Sequence, residues 1–203
     1  RCKVMGMERS LSEKATKDEI EAMRELATQA MHDGFIGISI DMIPWHMVGG
    51  EFRGHTLPSQ HADLREYRML AEVCLEFDGV FQLTPNPQKP WAGVDLIRLC
   101  LMKKNGKPLR TTILTALDSV VHRSLWRAFP LFCWGMNEVL GCNCRFQTIT
   151  EPFTIYSDGP ITTLLEEFGS GVLLNNCETR EERNALWREP GFREAFIREW
   201  NEG

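Results

Sequence analysis

The chain has 203 residues, a formal net charge of −5 at pH 7, 43% hydrophobic residues and 25% charged residues. This composition is typical of a soluble globular protein, and the negative charge argues against a nucleic-acid or anionic-membrane surface. No segment approaches the roughly 20 apolar residues of a membrane span. We therefore expect one cytoplasmic domain over residues 1–203 that binds neither nucleic acid nor membrane.

The first residues, RCKVMG, lack an initiating Met and have a strand-like composition. They suggest a fragment, a processed product or a trimmed chain.

The segment from Thr16 to Asp41 predicts a capped helix followed by a strand. Thr16 and Glu19 form a capping box, and apolar residues recur at helical spacing up to Met31. Gly34 supplies a left-handed stop. The run at 35–40 is short and apolar, and it predicts a strand covered on both faces.

The same alternation continues along the chain. A long connection at 42–60 is of the length that binding loops often have, and a helix over 62–77 leads to a strand at 80–84. The remaining predicted elements are a helix at 91–104, a turn at 105–108, a strand at 110–114, a helix at 120–140 interrupted at Pro130, a turn at 142–143, a strand at 145–149, and two or three short helices at 161–200 broken near 169–171 and at 190–191.

Four strands separated by helices predict an α/β fold with parallel β/α units and right-handed crossovers. Nucleotide-binding glycine motifs are missing from the sequence, which argues against a doubly wound nucleotide fold. A TIM-type barrel has eight such units over ~250 residues, so this chain predicts a partial (half) TIM-type barrel. Its open strand edges need a cover, and we expect the remaining half of the barrel, a homo-oligomer partner or the terminal helices to provide it.

Chemistry in parallel β/α proteins gathers at the carboxyl ends of the strands. The candidate substrate-binding residues on this rim are Asp41, His46, Thr84 and Asp118. Further polar residues at the same predicted rim are Asn86, Thr115, Thr148, Thr150, Glu151, His55 and His61. The aspartates have a plainer interpretation as loop hydrogen-bond acceptors, and the threonines as strand formers. The histidine spacing matches no compact metal site, so no metal ligand and no catalytic residue is assigned.

The seven cysteines are odd in number and fit no disulfide framework. Cys74 and Cys100 fall on apolar helical faces and are predicted to be core residues. Structural or free thiols are favoured over a metal site or a disulfide.

Several segments resemble the N-acyl-D-amino-acid deacylase (D-aminoacylase) branch of the amidohydrolase superfamily. They are Val4-Met5-Gly6, the helix at 16–31, the strand at 34–39, Trp45-His46, Gly49-Gly50, Leu57-Pro58-Ser59, Gly79-Val80-Phe81-Gln82-Leu83 and the helix at 188–198. The resemblance covers the middle portion of that family and is strongest over 4–83.

The resemblance implies a TIM-type hydrolase in which a divalent metal such as zinc polarises an amide carbonyl and activates water. The His-x-His motif and the catalytic aspartate of the family are missing here, and Thr84 and Thr115 stand near two expected histidine positions. We therefore expect no cofactor in this chain, an amide-hydrolysing longer parent, and no activity for this chain alone. The alternatives are a metal-free relative acting as a binding or assembly subunit, and an unrelated β/α module with a small-molecule pocket near Asp41 and His46.

Overall fold

The computed structural model describes residues 1–86, 92–114, 124–148, 154, 156, 165 and 168–202. These residues pack as two compact units. The sheet unit comprises Arg1–Ile43 and Leu57–Thr150, and the helical unit comprises Pro44–Thr56 and Glu151–Gly203. None of the helices in these ranges is long and apolar enough to cross a membrane.

The regular elements alternate along the chain. The strands are β1 Gly37–Asp41, β2 Val80–Thr84, β3 Lys103–Lys104, β4 Lys107–Pro108, β5 Arg110–Ile113 and β6 Asn143–Phe146. The helices are α1 Cys2–Met5, α2 Met7–Ser10, α3 Lys17–His32, α4 Leu64–Glu76, α5 Ala92–Cys100, α6 Ala128–Trp134, α7 Gly169–Asn175, α8 Arg180–Arg188 and α9 Pro190–Glu202. Short 3-10 helices lie at Gly50–Phe52, Pro58–His61 and Leu125–Arg127, and a π-helical turn lies at Gly135–Val139.

The predicted parallel sheet is confirmed. Strands β1, β2, β5 and β6 are hydrogen-bonded in that order, and all three pairings are parallel. The order of these strands therefore follows the order of the chain. Hairpin β3–β4 is a separate two-stranded ribbon, closed by Asn105 and Gly106, which both have positive φ, as the predicted turn requires.

One face of the sheet is apolar and packs against helices. Ile40, Phe81 and Leu83 share a buried cluster with residues of α4 and α5. Ile113 and Cys144 share another with Cys100 at the end of α5 and Met136 of the π-helical turn. Side chains alternate between the faces of a strand, so Ser39, Gln82, Thr112 and Arg145 lie on the opposite face.

The prediction that the first strand is covered on both faces is wrong. Ile40 is buried but Ser39 is exposed, and Phe35 and Ile36, which precede β1, are 66% and 83% exposed. The strand begins at Gly37 and ends at Asp41. The side chains of β1 alternate as in a sheet with one apolar face, because only Ile38 and Ile40 point toward the helices.

The predicted strand-like opening is also wrong, since Cys2–Met5 and Met7–Ser10 form α1 and α2. Met5 is buried in a cluster with Met23, Met69 and Val73. Burial of this methionine against α3 and α4 outweighs the weak strand propensity of a short segment.

Helix α3 confirms its predicted start and stop. The amide of Glu19 donates to the Thr16 hydroxyl at 3.2 Å, and the amide of Thr16 donates to the Glu19 carboxylate at 2.8 Å. The helix ends before Gly34, which has φ of 102°. These contacts satisfy amides at the start of the helix that have no intrahelical partner.

Later boundaries differ from the predicted ones. The helix predicted at 91–104 ends at Cys100 because hairpin β3–β4 follows. The helix predicted to break at Pro130 continues through it. Pro130 is the third residue of α6, where an amide has no helical acceptor to lose. Strand β6 starts at Asn143, two residues early, because the turn falls at Gly141, with φ of 62°.

The helical unit contains α7, α8 and α9. Its aromatic cluster consists of Phe168, Trp187, Phe192, Phe196 and Trp200. The predicted break at 169–171 is instead the start of α7. There the amide and hydroxyl of Ser170 donate to Glu199 of α9 at 2.8 and 2.6 Å, which fixes the start of α7. The predicted boundary at Pro190 is confirmed by the start of α9.

Candidate functional site at the carboxyl end and polar face of the sheet

Two of the four predicted site residues lie side by side. Asp41 of β1 and Thr84 of β2 are partners in the parallel register at the carboxyl ends of their strands. The amide of Met42 donates to the carbonyl of Thr84 at 3.0 Å and extends the pairing beyond β1. Thr84 and the nearby Asn86 are buried, with 8% and 6% of their surface exposed. The prediction that these strand ends share one rim is therefore confirmed for Asp41 and Thr84.

The Asp41 carboxylate organises the chain that leaves β1. Its Oδ1 accepts a hydrogen bond from the amide of Ile43 at 2.8 Å, as an aspartate at a turn commonly does. The hydroxyl of Ser59 donates to the carbonyl of Asp41, and the side-chain amide of Gln60 donates to the carbonyl of Ile43. The interpretation of Asp41 as a loop acceptor is confirmed for this oxygen.

The other two predicted site residues stay predictions from the sequence. His46 belongs to the helical unit, and Asp118 lies outside the described residues. His55 lies on a loop closed by an isolated bridge between Met47 and Thr56, and His46 directly precedes that bridge. The long connection at 42–60 is therefore divided between the two units.

A row of polar side chains crosses the face of the sheet opposite the helices. Ser39, Gln82, Thr112 and Arg145 occupy the same register position on β1, β2, β5 and β6. Gln82 donates to the Ser39 hydroxyl at 3.0 Å, and Gln147 donates to the Gln82 side-chain oxygen at 2.8 Å. Gln147 also approaches the Thr112 hydroxyl at 3.2 Å. We call Ser39, Gln82, Thr112, Arg145 and Gln147 the polar row.

The polar row is suited to binding rather than to nucleophilic attack. Its amides and hydroxyls donate and accept hydrogen bonds, and the exposed Arg145 adds a positive charge. Asp41 adds a carboxylate on the same face, one row nearer the carboxyl end. Together these groups can hold a polar ligand that has both hydrogen-bonding and negatively charged parts.

A thiol cluster lies on the other face of the sheet. Cys100, Cys142 and Cys144 are buried together, and Cys133 packs against them. The hydrogen bond between the Cys100 and Cys144 thiols lowers the pKa of Cys100 and raises that of Cys144. Burial raises the pKa of Cys133 to about 12. The prediction that Cys74 and Cys100 are core residues is confirmed, since neither is exposed.

Sequence reasoning missed the polar row. The signal was present in β2, where Gln82 lies between Phe81 and Leu83 and breaks the apolar run. Alternation of this kind marks a strand with one apolar and one polar face. Which polar residues meet depends on the register of the strands, and short parallel strands do not reveal it in their sequence.

The comparisons with known proteins show uncharacterized mycobacterial relatives. A protein of Mycobacterium bovis and two of Mycobacterium tuberculosis are each 29% identical to this chain over 206 aligned residues. The alignments cover 99% of this chain but 34% of each relative, so the chain spans about a third of the length of the curated relatives it matches. No family model matches the chain, and no solved structure matches it.

Proposed function

We propose that this chain contributes four neighbouring strands to a TIM-type barrel of a longer protein that hydrolyses N-acyl-D-amino acids or related amides. The observation that carries the proposal is that the parallel strands follow chain order without reversal. In a doubly wound sheet the order reverses at the ligand-binding crevice. In a barrel each unit lies beside the preceding one.

The placement of the helices supports the same architecture. Residues of α4 and α5 and the segment around α6 pack on one face of the sheet, and α3 packs beside α4. A barrel carries its helices on the outside only, whereas a doubly wound sheet carries them on both faces. The polar row would then face the barrel interior.

The polar row supports a polar substrate. A barrel interior is usually filled by branched apolar side chains, but here a middle layer consists of Ser39, Gln82, Thr112 and Arg145. An N-acyl-amino acid has an amide and a carboxylate, which match hydrogen-bond donors and a guanidinium. Asp41 and Thr84 remain the proposed rim residues for this substrate, and His46 and Asp118 remain candidates from the sequence alone.

The resemblance also implies a divalent metal such as zinc. Within the described ranges, no group of three or more His, Cys, Asp or Glu residues could hold a metal ion. The described residues therefore do not fit that metal, and its ligands in the longer protein would have to come from other positions. What this chain would provide is the binding surface of the sheet.

A second candidate function is that of a non-catalytic binding or assembly subunit. The observation that favours it is the hydrogen-bonded polar row, which offers donors and acceptors across four strands but has within it no base to activate the Ser39 or Thr112 hydroxyl as a nucleophile. Such a protein would bind the same class of polar ligand and leave its amide intact.

The test compares the longer protein with this chain. Both are incubated with N-acetyl-D-amino acids and their L-counterparts, before and after chelation, and released amine is measured. We expect amide hydrolysis by the longer protein, loss of hydrolysis after chelation and no hydrolysis by this chain alone. Binding without hydrolysis in the longer protein would favour the second candidate, and neither binding nor hydrolysis would refute both.

A matched pair of variants tests the polar row within the longer protein. Gln82→Leu removes an amide that bonds Ser39 and Gln147, whereas Gln29→Leu makes the same change on the exposed surface of α3. One hydrogen bond is worth about 1 kcal/mol, so we expect KM, or Kd for a binding protein, to rise about five- to ten-fold in Gln82→Leu alone. Equal values in the two variants would remove the polar row from the proposed site.

A further inference from the structure

The outer edge of β1 has main-chain groups that point away from the sheet. The amide of Met42 bonds Thr84, and the carbonyl of Ile36 accepts from Val80, both at 3.0 Å. The even-numbered residues from Ile36 to Met42 therefore direct their main-chain amides and carbonyls toward β2. Because the direction alternates along a strand, Gly37, Ser39 and Asp41 direct theirs to the opposite side.

A largely apolar cavity of about 530 Å³ lies along this edge. Ser39 and Asp41 of β1 line it together with Leu26 of α3 and Leu70 of α4. We call this cavity the edge groove. Main-chain amides and carbonyls that face an apolar groove need partners, because burying them unpaired is costly.

One end of the edge groove is closed by fixed polar contacts. Ser59 donates to the Asp41 carbonyl, and Tyr67 donates to the Ser59 carbonyl at 2.6 Å. Arg1 forms an ion pair with Glu66, and their side chains are 9% and 4% exposed. These contacts leave the main chain of Ser39, which lines the groove, and of Gly37, which lies just beyond its lining, as the section of the edge suited to pair with another strand.

The outer edge of β6 differs from that of β1, because a side chain bonds the main chain of β6. The side chain of Asn137 accepts from the Cys144 amide at 2.8 Å and donates to the Cys144 carbonyl at 2.9 Å. The amide of Gln147 donates to the carbonyl of Ile113 in β5. Because the direction of the main-chain groups alternates along a strand, the amide and carbonyl of Cys144 point away from β5. A side chain therefore satisfies the Cys144 section of the edge of β6, while β1 is bordered by a groove.

We infer that the edge groove holds a β-strand supplied by the longer protein on the amino-terminal side of Arg1, paired parallel to β1 through Gly37 and Ser39. Each described strand of the sheet lies beside the one before it in the chain. Helix α3 precedes β1 as α4 precedes β2, so α3 fits the crossover from an earlier parallel strand. The relatives have about two thirds of their length outside the match, and the inference requires that part of the longer protein precede the region that matches this chain.

The inference rests on the barrel architecture of the proposed function but not on hydrolysis. A photo-crosslinking amino acid is placed at Leu26, on the wall of the edge groove, in the longer protein. The matched control places it at Leu101, which is also 40% exposed but does not line the groove. After irradiation, the crosslinked peptides are identified by mass spectrometry.

We expect the Leu26 position to crosslink to a segment on the amino-terminal side of Arg1, and the Leu101 position not to do so. A crosslink to a second copy, to a segment after Gly203 or to a separate peptide would overturn the inference, as would no crosslink. Hydrolysis can fail while this crosslink forms, so failure of the proposed hydrolysis is distinguishable from failure of the strand pairing.

Amide exchange provides an independent measurement. The Ser39 amide points into the edge groove, and the Ile40 amide points to β2. We expect the Ser39 amide to exchange at least about ten-fold more slowly in the longer protein than in this chain, because strand pairing protects it. Protection of Ile40 should be similar in both. Equal Ser39 exchange in the two proteins would contradict strand pairing.

Discussion

Gly37 has a hydrogen atom in place of a side chain, and this allows β1 and β2 to approach each other closely. A Cβ added to this residue would lie 2.9 Å from the carbonyl carbon of its register partner Val80 and still closer to the carbonyl oxygen. Backbone atoms of a paired strand cannot move aside as a flexible side chain can. The glycine is therefore required by close approach rather than by an unusual dihedral angle.

We predict that Gly37→Ala lowers the free energy of unfolding by about 1–3 kcal/mol, the usual cost of forcing an extra carbon into a packed site. The measurement is urea unfolding followed by circular dichroism. Gly93→Ala is the control, because nothing lies within 4 Å of a Cβ added there in α5, and alanine favours helix. Equal stability of the Gly37 variant and the unmodified chain would contradict the close β1–β2 approach.

Glu19 makes the start of α3 sensitive to acid. Hydrogen bonding to Arg9, at 2.6 Å, and to the main chain of Thr16 lowers the pKa of Glu19 to about 2 from its usual value of 4.5. A lowered pKa in the folded state means that the contribution of Glu19 to stability is complete above about pH 4.5 and is lost as the pH falls toward 2.

We predict that the stability difference between the unmodified chain and Glu19→Gln is constant above about pH 5 and shrinks to nothing near pH 2. Urea unfolding at a series of pH values measures it. The control is Glu21→Gln on the same helix, whose partner Arg24 lies 3.6 Å away. A difference that is independent of pH would show that the charge of Glu19 has no part in the cap.

The rim could be predicted from sequence and the polar row could not. Asp41 and Thr84 follow apolar runs directly, and parallel strands bring their carboxyl ends together. The partners of Gln82 are Ser39 and Gln147, which are distant in the chain. Only the register and the side-chain rotamers join them, and neither is encoded by a local pattern.

At the scale of elements, the π-helical turn after α6 contacts one edge of the sheet. Asn137 lies in this turn and forms two hydrogen bonds with the main chain of Cys144 in β6. Turns of this kind are rare and often have a specific role. Here the turn brings an amide side chain to the outer edge of β6 at Cys144. Closure of the sheet in the proposed barrel therefore requires that Asn137 move away, or that the next strand pair with β6 at positions other than Cys144.

We predict that Asn137→Leu lowers the free energy of unfolding by about 1–3 kcal/mol, because it leaves the amide and carbonyl of buried Cys144 without this partner. Thermal and urea unfolding measure the loss. Asn184→Leu, at an exposed position in α8, is the matched control and should stay within about 0.5 kcal/mol. If both variants lose the same free energy of unfolding, the Asn137 contacts do not stabilise the edge of the sheet at β6.

Elements with local boundary signals were predicted well, and those fixed by packing were not. Strand β2 was predicted from Val80 to Thr84 and has these bounds, because Gly79 and Pro85 delimit it. The start of α3 was fixed by its capping box. The opening residues 1–6 have no such signal, and their helical form depends on burying Met5 against α3 and α4.

On the scale of the whole molecule, the sheet unit contains an ordered series of parallel strands with helices on one face. The edge groove borders the first strand of that series. The sequence predicted the direction of the strands, because helices between them require crossovers. Their neighbours outside this chain could not be predicted, because an open edge does not identify its partner.

The most direct test of the barrel architecture is a crystal structure of the longer protein, read for the order and direction of its strands. We predict that a parallel strand from the amino-terminal side lies beside β1, that strand order continues without reversal until the sheet closes, and that the polar row faces the interior. A sheet whose strand order reverses beside β1, or in which β1 remains an edge, would contradict the account.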